Sequence, residues 1–272
     1  MNRSARLVEL ALWLIAALAF FGARALDPAR RAVEGDAAKW WPAKRPERSL
    51  RVVTWNVGGS DGGQPHSLRA DDLDAVARTL LVLDPDLVLL QEFLYPRDFD
   101  ALRARFDVGA GWVRAAGDVA IVARRGQFVG GSSQGGLALA EWQFEGRSFA
   151  IAGLHASAWS ARARRGEIGR AAESLLAITA DFHLLGGDLN LDIDRRGDLL
   201  SNDPQRDAEI YNWLAERLVD AGAGSGPTAE PDRRLDYLFV SNALERLAAR
   251  PWKGRRHGTM DHDPLVVDLR IR

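Results

Sequence analysis

Six apolar, β-forming runs in this chain each abut a polar or ionisable side chain, and that recurrence constrains the fold more than any other feature. The runs are 50–57 with Asn56, 86–92 with Glu92, 149–155 with His155, 182–188 with Asp188 and Asn190 just beyond, 235–241 with Asp236, and 265–271 preceded by Asp261 and His262. Leu87-Val88-Leu89-Leu90 shows no alternation of apolar and polar residues, which suits a strand covered on both faces. In α/β folds, sites are built where strands stop along one edge. Burying a carboxylate without a partner is costly. Carboxylates gathered at several strand ends therefore point to a shared partner, and a divalent cation is the simplest one.

Taken singly, each of these residues has a plainer account. Asn56 suits a turn, Glu92 a solvated strand end, and His155 a satisfied rim histidine. Asp188-Leu189-Asn190 could close an Asx turn, Asp236 could pair with Arg233 or Arg234, and Asp261-His262-Asp263-Pro264 could turn into the last strand. Their joint occurrence carries the argument.

Between the runs, helical spacing appears. Asp71 or Asp72 reads as an N-cap, with Leu73, Val76, Ala77 and Leu80 following at helical intervals until Asp84-Pro85. A second helix is expected over 166–180 (Ile168, Ala172, Leu175, Thr179) and a third over 208–221 (Ile210, Trp213, Leu214, Leu218). Further strands are expected at 119–123 and 137–144. Strand–helix–strand thus occurs twice, repeating a layout and not a sequence, and no break in composition interrupts 49–272. The expectation is one α/β domain.

Composition narrows the chemistry. With 36 Lys+Arg against 37 Asp+Glu, the chain has no global basic field, so any polyanion must meet a local patch. It has no cysteine, which excludes disulfides, thiolate nucleophiles and thiolate-bound zinc. A metal would have to sit on Asp, Glu, Asn or His. At the N-terminus, Arg3 and Arg6 precede an uncharged stretch, Leu10 to Ala23, and then Ala23-Arg24-Ala25. Residues 1–25 read as an export signal cut after Ala25, or as an uncleaved anchor touching the membrane through residues 7–23. The protein is accordingly expected to be exported or membrane-anchored. Residues 26–48, with Trp40 and Trp41, read as a linker.

The order Thr54-Trp55-Asn56-Val57, Leu90-Gln91-Glu92, Leu154-His155, Gly187-Asp188-Leu189-Asn190, Leu235-Asp236-Tyr237 and Asp261-His262-Asp263-Pro264 resembles the endonuclease/exonuclease/phosphatase (DNase I-like) superfamily. The resemblance spans about residues 50–272. It implies a four-layer α/β/β/α sandwich with two packed mixed β-sheets. It also implies a divalent-metal-dependent phosphodiesterase using Mg²⁺, with Mn²⁺ able to replace it. Glu92 would be the main metal ligand, with Asn56 beside it and Asp261 supporting. His262 would activate water, oriented by Asp236; Asp188 and Asn190 would position the water and the phosphoryl oxygens; His155 would bind phosphate.

Two positions depart from abasic-site endonucleases. Gly58 stands where they carry an acidic residue, and no tyrosine lies near His155. Two basic clusters flank the motifs: Arg162, Arg164, Arg165 and Arg170, and Arg246, Arg250, Lys253, Arg255 and Arg256. Arg162 and Arg165 are the candidate substrate-binding residues, and Trp159 and Trp252 beside the clusters could stack on bases or pack in the core. The expected substrate is a nucleic acid, cleaved as by a DNase, by a protein acting as a monomer. The alternatives are a lipid or inositol phosphate ester, as for a sphingomyelinase, or a catalytically inactive binding protein.

Overall fold

The unbroken apolar runs become the central strands of two sheets. The computed structural model describes residues 49–271, except 59, 62–63, 66–67, 95, 107–112, 194–202, 231, 254–256 and 259. The expected signal or anchor (1–25) and linker (26–48), and His66, Tyr95, Arg255 and Arg256, lie outside the described residues. The described residues belong to one compact unit, Pro46–Arg272.

In chain order the elements are β1 (Ser49–Asn56), the short pair β2 (Ser60–Asp61) and β3 (Gln64–Pro65), α1 (Ala70–Leu83), β4 (Leu87–Gln91), α2 (Arg97–Phe106), β5 (Val113–Ala116), β6 (Val119–Ala123), β7 (Gln127–Gln134), β8 (Leu137–Phe144), β9 (Arg147–His155), α3 (Ala161–Leu176), β10 (Phe182–Asp188), α4 (Pro204–Ala215), β11 (Val219–Asp220), β12 (Asp236–Val240), β13 (Leu244–Pro251) and β14 (Leu265–Ile271). One sheet has the order β13-β14-β1-β4-β6-β5 and the other β11-β12-β10-β9-β8-β7. Read from its far edge, the second sheet runs 7-8-9-10-12-11, which matches 13-14-1-4-6-5 strand for strand. In both sheets a parallel pair joined through a helix, β1 with β4 and β9 with β10, lies between two antiparallel pairs, although β13–β14 comes last in the chain and β7–β8 comes first in its sheet. The repeated layout read from the sequence is therefore a real duplication of topology.

The two sheets pack face to face on one apolar core, which includes Val52, Leu89, Ile121, Trp142, Phe149, Leu184, Leu238 and Val267. At its centre two glycines are paired across β9 and β10, Gly153 with Gly186. A Cβ on Gly153 would meet Ile121 and Val119 at 3.1 Å, and one on Gly186 would meet Leu89 and Leu238 at 2.9 Å. Their missing side chains let the sheets close together two residues behind His155 and Asp188. On its outer face the second sheet packs Ala152, Leu185, Tyr237 and Phe239 against Ile168, Ala172, Leu175 and Leu214 of α3 and α4. The outer face of the first sheet holds Arg51, whose guanidinium donates to Leu83 O at the end of α1 and to both Asp268 oxygens. Two mixed sheets between helices make the expected sandwich.

Several boundaries differ from expectation. α1 begins after Arg69, which takes the N-cap position, so Asp71 and Asp72 lie in the first turn. There Asp72 binds Arg69 and His257, and acidic side chains favour a helix start with or without capping. Asp84 ends α1 in the left-handed conformation, φ 47°. α3 starts five residues before expectation, because Ser160 caps it through Ala163 N, and it ends at Leu176, not 180. α4 spans 204–215, not 208–221; Asp203 caps it and Pro204 opens it. Leu218 is buried beyond the helix end.

Candidate active site

Backbone register brings the polar strand ends into one cluster. Parallel pairing of β1 and β4 sets Asn56 opposite Gln91, one residue before Glu92. Asp188 faces His155 on β9 and Asp236 on β12. The last strand is entered through His262, which forms a bridge with Ala229. Six residues separated by up to 206 positions in the sequence therefore share one edge, Asn56, Glu92, His155, Asp188, Asp236 and His262.

Asp188 is the hub. It is 2 % exposed. Its Oδ2 lies 3.7 Å from His155 Nε2 and 3.7 Å from His262 Nε2, and it accepts Asn56 Nδ2 at 3.1 Å. The same Asn56 amide donates to Glu92 Oε1 at 2.9 Å, which ties the two carboxylates together. Asn56 Oδ1 in turn accepts Gly58 N, so the amide orientation is fixed. The other Asp188 oxygen accepts Asn190 N, which is the Asx turn foreseen in the sequence, and Asn190 Nδ2 donates to Ala156 O. Turn and site thus share the same residues.

Each imidazole has its own carboxylate. His262 Nδ1 donates to Asp236 Oδ2 at 2.8 Å, leaving Nε2 toward Asp188. Trp55 Nε1 donates to His262 O, which anchors the loop. His155 Nδ1 donates to Asp118 Oδ2 at 2.7 Å, with Nε2 4.0 Å from Glu92. Burial alone would push both imidazoles down, but the surrounding carboxylates outweigh it. Asp236 and Asp188 raise His262 to about 10. Asp118, Asp188 and Glu92 raise His155 to about 9. Asp118 gains correspondingly: burial would raise it, yet the His155 bond holds its carboxyl below the usual range. Burial is the leading influence on Asp188, whose carboxyl is pushed upward.

The alternative partners proposed for Asp236 are already engaged. Arg233 binds Asp192 at 2.9 Å and Arg234 binds Asp220 at 2.8 Å, both buried. Tyr237 OH donates to Leu191 O, holding the loop that follows Asp188. Glu92 (φ 54°) and Asn190 (φ 50°) both sit in the left-handed region that non-glycine residues seldom occupy. Strain held in place at a polar cluster is a recurrent mark of function.

The remaining candidates divide. Asp261 stands at the rim, its side chain 64 % exposed and 3.9 Å from His262 Nε2. Arg162 and Arg165 line a separate groove between α3 and α4, and Arg165 faces Glu209. Arg164, grouped with them in the sequence, is fully buried. It forms a forked pair with Asp207 and donates to Ser157 O and Ala158 O. It holds the loop behind His155 and is not an anion ligand. Trp252 is buried, whereas Trp159 is 75 % exposed. His183 is half-buried on Ile178 O, and His257 binds Asp72. Asp118 is the residue the sequence reading missed. It abuts the apolar run 119–123 as the other site residues abut theirs, but at the start of a strand, where only an antiparallel neighbour brings it to this edge.

A sequence model of the endonuclease/exonuclease/phosphatase family matches residues 53–253. No curated protein sequence is matched. Among solved structures, an endonuclease/exonuclease/phosphatase from Beutenbergia cavernae is similar with a TM-score of 0.63 at 20% identity, over 83% of this chain and 72% of that one. Truncated Caenorhabditis elegans TDP2 gives 0.58 at 18% identity, over 81% and 97% of the two chains. Beta toxin from Staphylococcus aureus gives 0.55 at 16%, over 82% and 100%. At these identities the structural likeness is one of fold.

Proposed function

The chain belongs to the endonuclease/exonuclease/phosphatase family, and on that premise we propose that it hydrolyses a phosphodiester by in-line attack of water, with nucleic acid as the preferred substrate. The observation that carries this reading is Asp188 midway between two carboxylate-held imidazoles, 3.7 Å from each. One imidazole can take a proton from water while the other donates to the phosphoryl group.

His262 acts as the base through Nε2. Asp236 fixes its tautomer and stabilises the imidazolium formed, a role that needs the hydrogen bond and no proton transfer. Asp188 orients the attacking water between the imidazoles. His155, held protonated by Asp118, donates from Nε2 to a phosphoryl or leaving oxygen. Asn190 and Asn56 keep Asp188 and Glu92 in place.

The donor set fits a hard divalent cation. Glu92 and Asp188 are joined through one amide, and the cluster holds the carboxylates Glu92, Asp118, Asp188 and Asp236 against two imidazoles, an excess of negative charge. Among the described residues no three His, Asp or Glu side chains group closely enough to hold an ion by themselves. Oxygen donors such as Glu92 and Asp188 suit Mg²⁺ or Mn²⁺, which bind through one or two carboxylates and complete their shell with water and substrate phosphate. Glu92 would hold the ion, with Asn56 and Asp188 beside it and Asp261 at the rim. Such an ion supplies charge stabilisation to the phosphoryl oxygens and offsets the carboxylates that otherwise keep His262 protonated.

Nucleic acid is preferred over lipid because Trp159 is the single exposed large apolar side chain in the described loop after His155. A lipid-penetrating rim would present a contiguous apolar patch. The test is hydrolysis of bis-p-nitrophenyl phosphate with Mg²⁺ or Mn²⁺ and with EDTA, followed by plasmid DNA, RNA, sphingomyelin and phosphoinositides side by side. Turnover that survives EDTA, or that His262→Ala leaves unchanged, would sink the mechanism. Cleavage of sphingomyelin or phosphoinositide with neither nucleic acid cut would transfer the substrate to the lipid class.

A further inference from the structure

A groove of about 460 Å³ runs between α3 and α4, outside the catalytic cluster. One wall carries Arg162, Arg165 and Arg170, and the other Ile210 and Trp213. Its floor includes Gly166 and Gly169. Glycine inside a helix costs stability relative to alanine, and packing gives no reason for it here. A Cβ on Gly169 would meet nothing within 4 Å, and one on Gly166 only the tip of Arg170 at 3.4 Å. What the two glycines provide is depth beside three guanidiniums. Glu173 closes the far end, and Glu209 meets Arg165 at 3.9 Å with both side chains more than half exposed, a pairing too solvated to neutralise the rail. Arg217 lies over the Trp213 ring, 4.2 Å from its centre, and also meets Glu216 at 3.3 Å.

We propose that this groove is a track for single-stranded nucleic acid leaving the active site, with phosphates on the arginine rail and bases against the half-buried Trp213. The proposal rests on the nucleic-acid reading given above. The groove lies along the helix that leaves the site: α3 starts six residues after His155, and the intervening loop presents Trp159 and is held from behind by Arg164. Arg162 to Arg170 spans roughly 12 Å of helix at 1.5 Å per residue, so the rail can follow a strand and not merely a single phosphate. A charged rail facing an aromatic wall is the arrangement by which single strands are held without sequence preference. It also places the local basic patch that a net charge of −1 requires.

The test uses a fluorescein-labelled oligothymidylate, its binding followed by anisotropy in EDTA. Gly169→Phe fills the groove and leaves every charge in place; Arg170→Glu reverses one point of the rail. Each should weaken binding about tenfold or more, and Arg170→Glu should lower the salt slope by about one. Gly169→Phe should keep wild-type turnover of bis-p-nitrophenyl phosphate and the wild-type unfolding temperature, which separates groove blockage from misfolding. Wild-type affinity in both variants overturns the track, as does failure of the wild-type protein to bind the oligonucleotide. So does loss of binding to phosphatidylglycerol vesicles with oligonucleotide binding intact. If the wild-type protein cuts no nucleic acid yet binds it through Gly169 and Arg170, the substrate assignment fails and the track stands. If it cuts DNA with the same KM and salt dependence in the variants, the track fails and the substrate assignment stands.

Discussion

Replacing Arg164 by methionine tests how the loop behind His155 is held. Arg164 is fully buried and reaches Asp207, itself fully buried, through contacts of 2.7, 2.8 and 3.0 Å. It also donates to Ser157 O at 2.9 Å and Ala158 O at 3.3 Å. Arg164→Met leaves the Asp207 carboxylate in the interior without its guanidinium. Breaking a buried pair from one side costs about 3–5 kcal/mol, a large part of a total stability of roughly 5–15 kcal/mol. Replacing both partners by apolar residues removes both desolvation terms and is often neutral or stabilising. Arg164→Met with Asp207→Leu should therefore regain most of the loss. The Ser157 and Ala158 carbonyls also lose their donor, and the loop loses its clamp. Stability and activity should consequently separate. Urea unfolding followed by far-UV circular dichroism should give a loss of about 3 kcal/mol or more for the single variant and about 1 kcal/mol or less for the double. The double variant should still turn over bis-p-nitrophenyl phosphate more slowly than the wild type. A single variant within about 1 kcal/mol of wild type would refute the reasoning, and so would a double variant no more stable than the single.

His262→Gln should lower kcat about 10²–10⁴-fold, the usual contribution of a positioned base, and steady-state kinetics on the small diester would read it. In EDTA the two histidines impose a pH dependence on stability. Their folded values, about 9 and about 10, stand above the ordinary 6.5, so the stability they contribute is complete below about 6.5 and lost as pH rises through 9 and 10. The urea midpoint should fall from pH 7 to 10 and His262→Gln should make that slope shallower; equal slopes would refute the assignment. Mg²⁺ binding the folded state alone should stabilise the protein by about 2.7 kcal/mol at a hundredfold excess over its Kd. Calorimetry should find this shift absent in Glu92→Gln, and a shift that persists there would remove Glu92 as ligand. Asp118→Asn should lower the His155 pKa, seen by NMR titration of the imidazole, without moving that of His262 comparably.

Local sequence determined the parts whose signal is local. Runs such as 182–188 and 265–271 read as strands because strands covered on both faces are apolar throughout. Edge strands escaped notice for the converse reason: β7 (QFVGGSSQ) is largely exposed, and β13 is half-buried along most of its length, so neither shows an apolar run. Helix ends were misplaced where a side-chain cap (Ser160, Asp203) or a first-turn carboxylate (Asp72) decided the boundary.

The sequence alone also supplied the site's ingredients, because a polar residue at the end of a buried strand is costly and conspicuous. Which partner each one takes was decided only by tertiary structure. Asp236 reads equally well beside Arg233, Arg234 or His262, and the buried pairs Arg233–Asp192 and Arg234–Asp220 leave it to the histidine. Arg162, Arg164 and Arg165 read as one basic cluster, yet helical rotation buries the middle one on Asp207 and turns the other two into a groove. Asp118 reaches His155 because β6 runs antiparallel to β4 and the two sheets are pressed together over Gly153 and Gly186. Strand character is a property of neighbours along the chain, whereas a hydrogen-bond partner is a property of register and sheet packing, which no local pattern encodes.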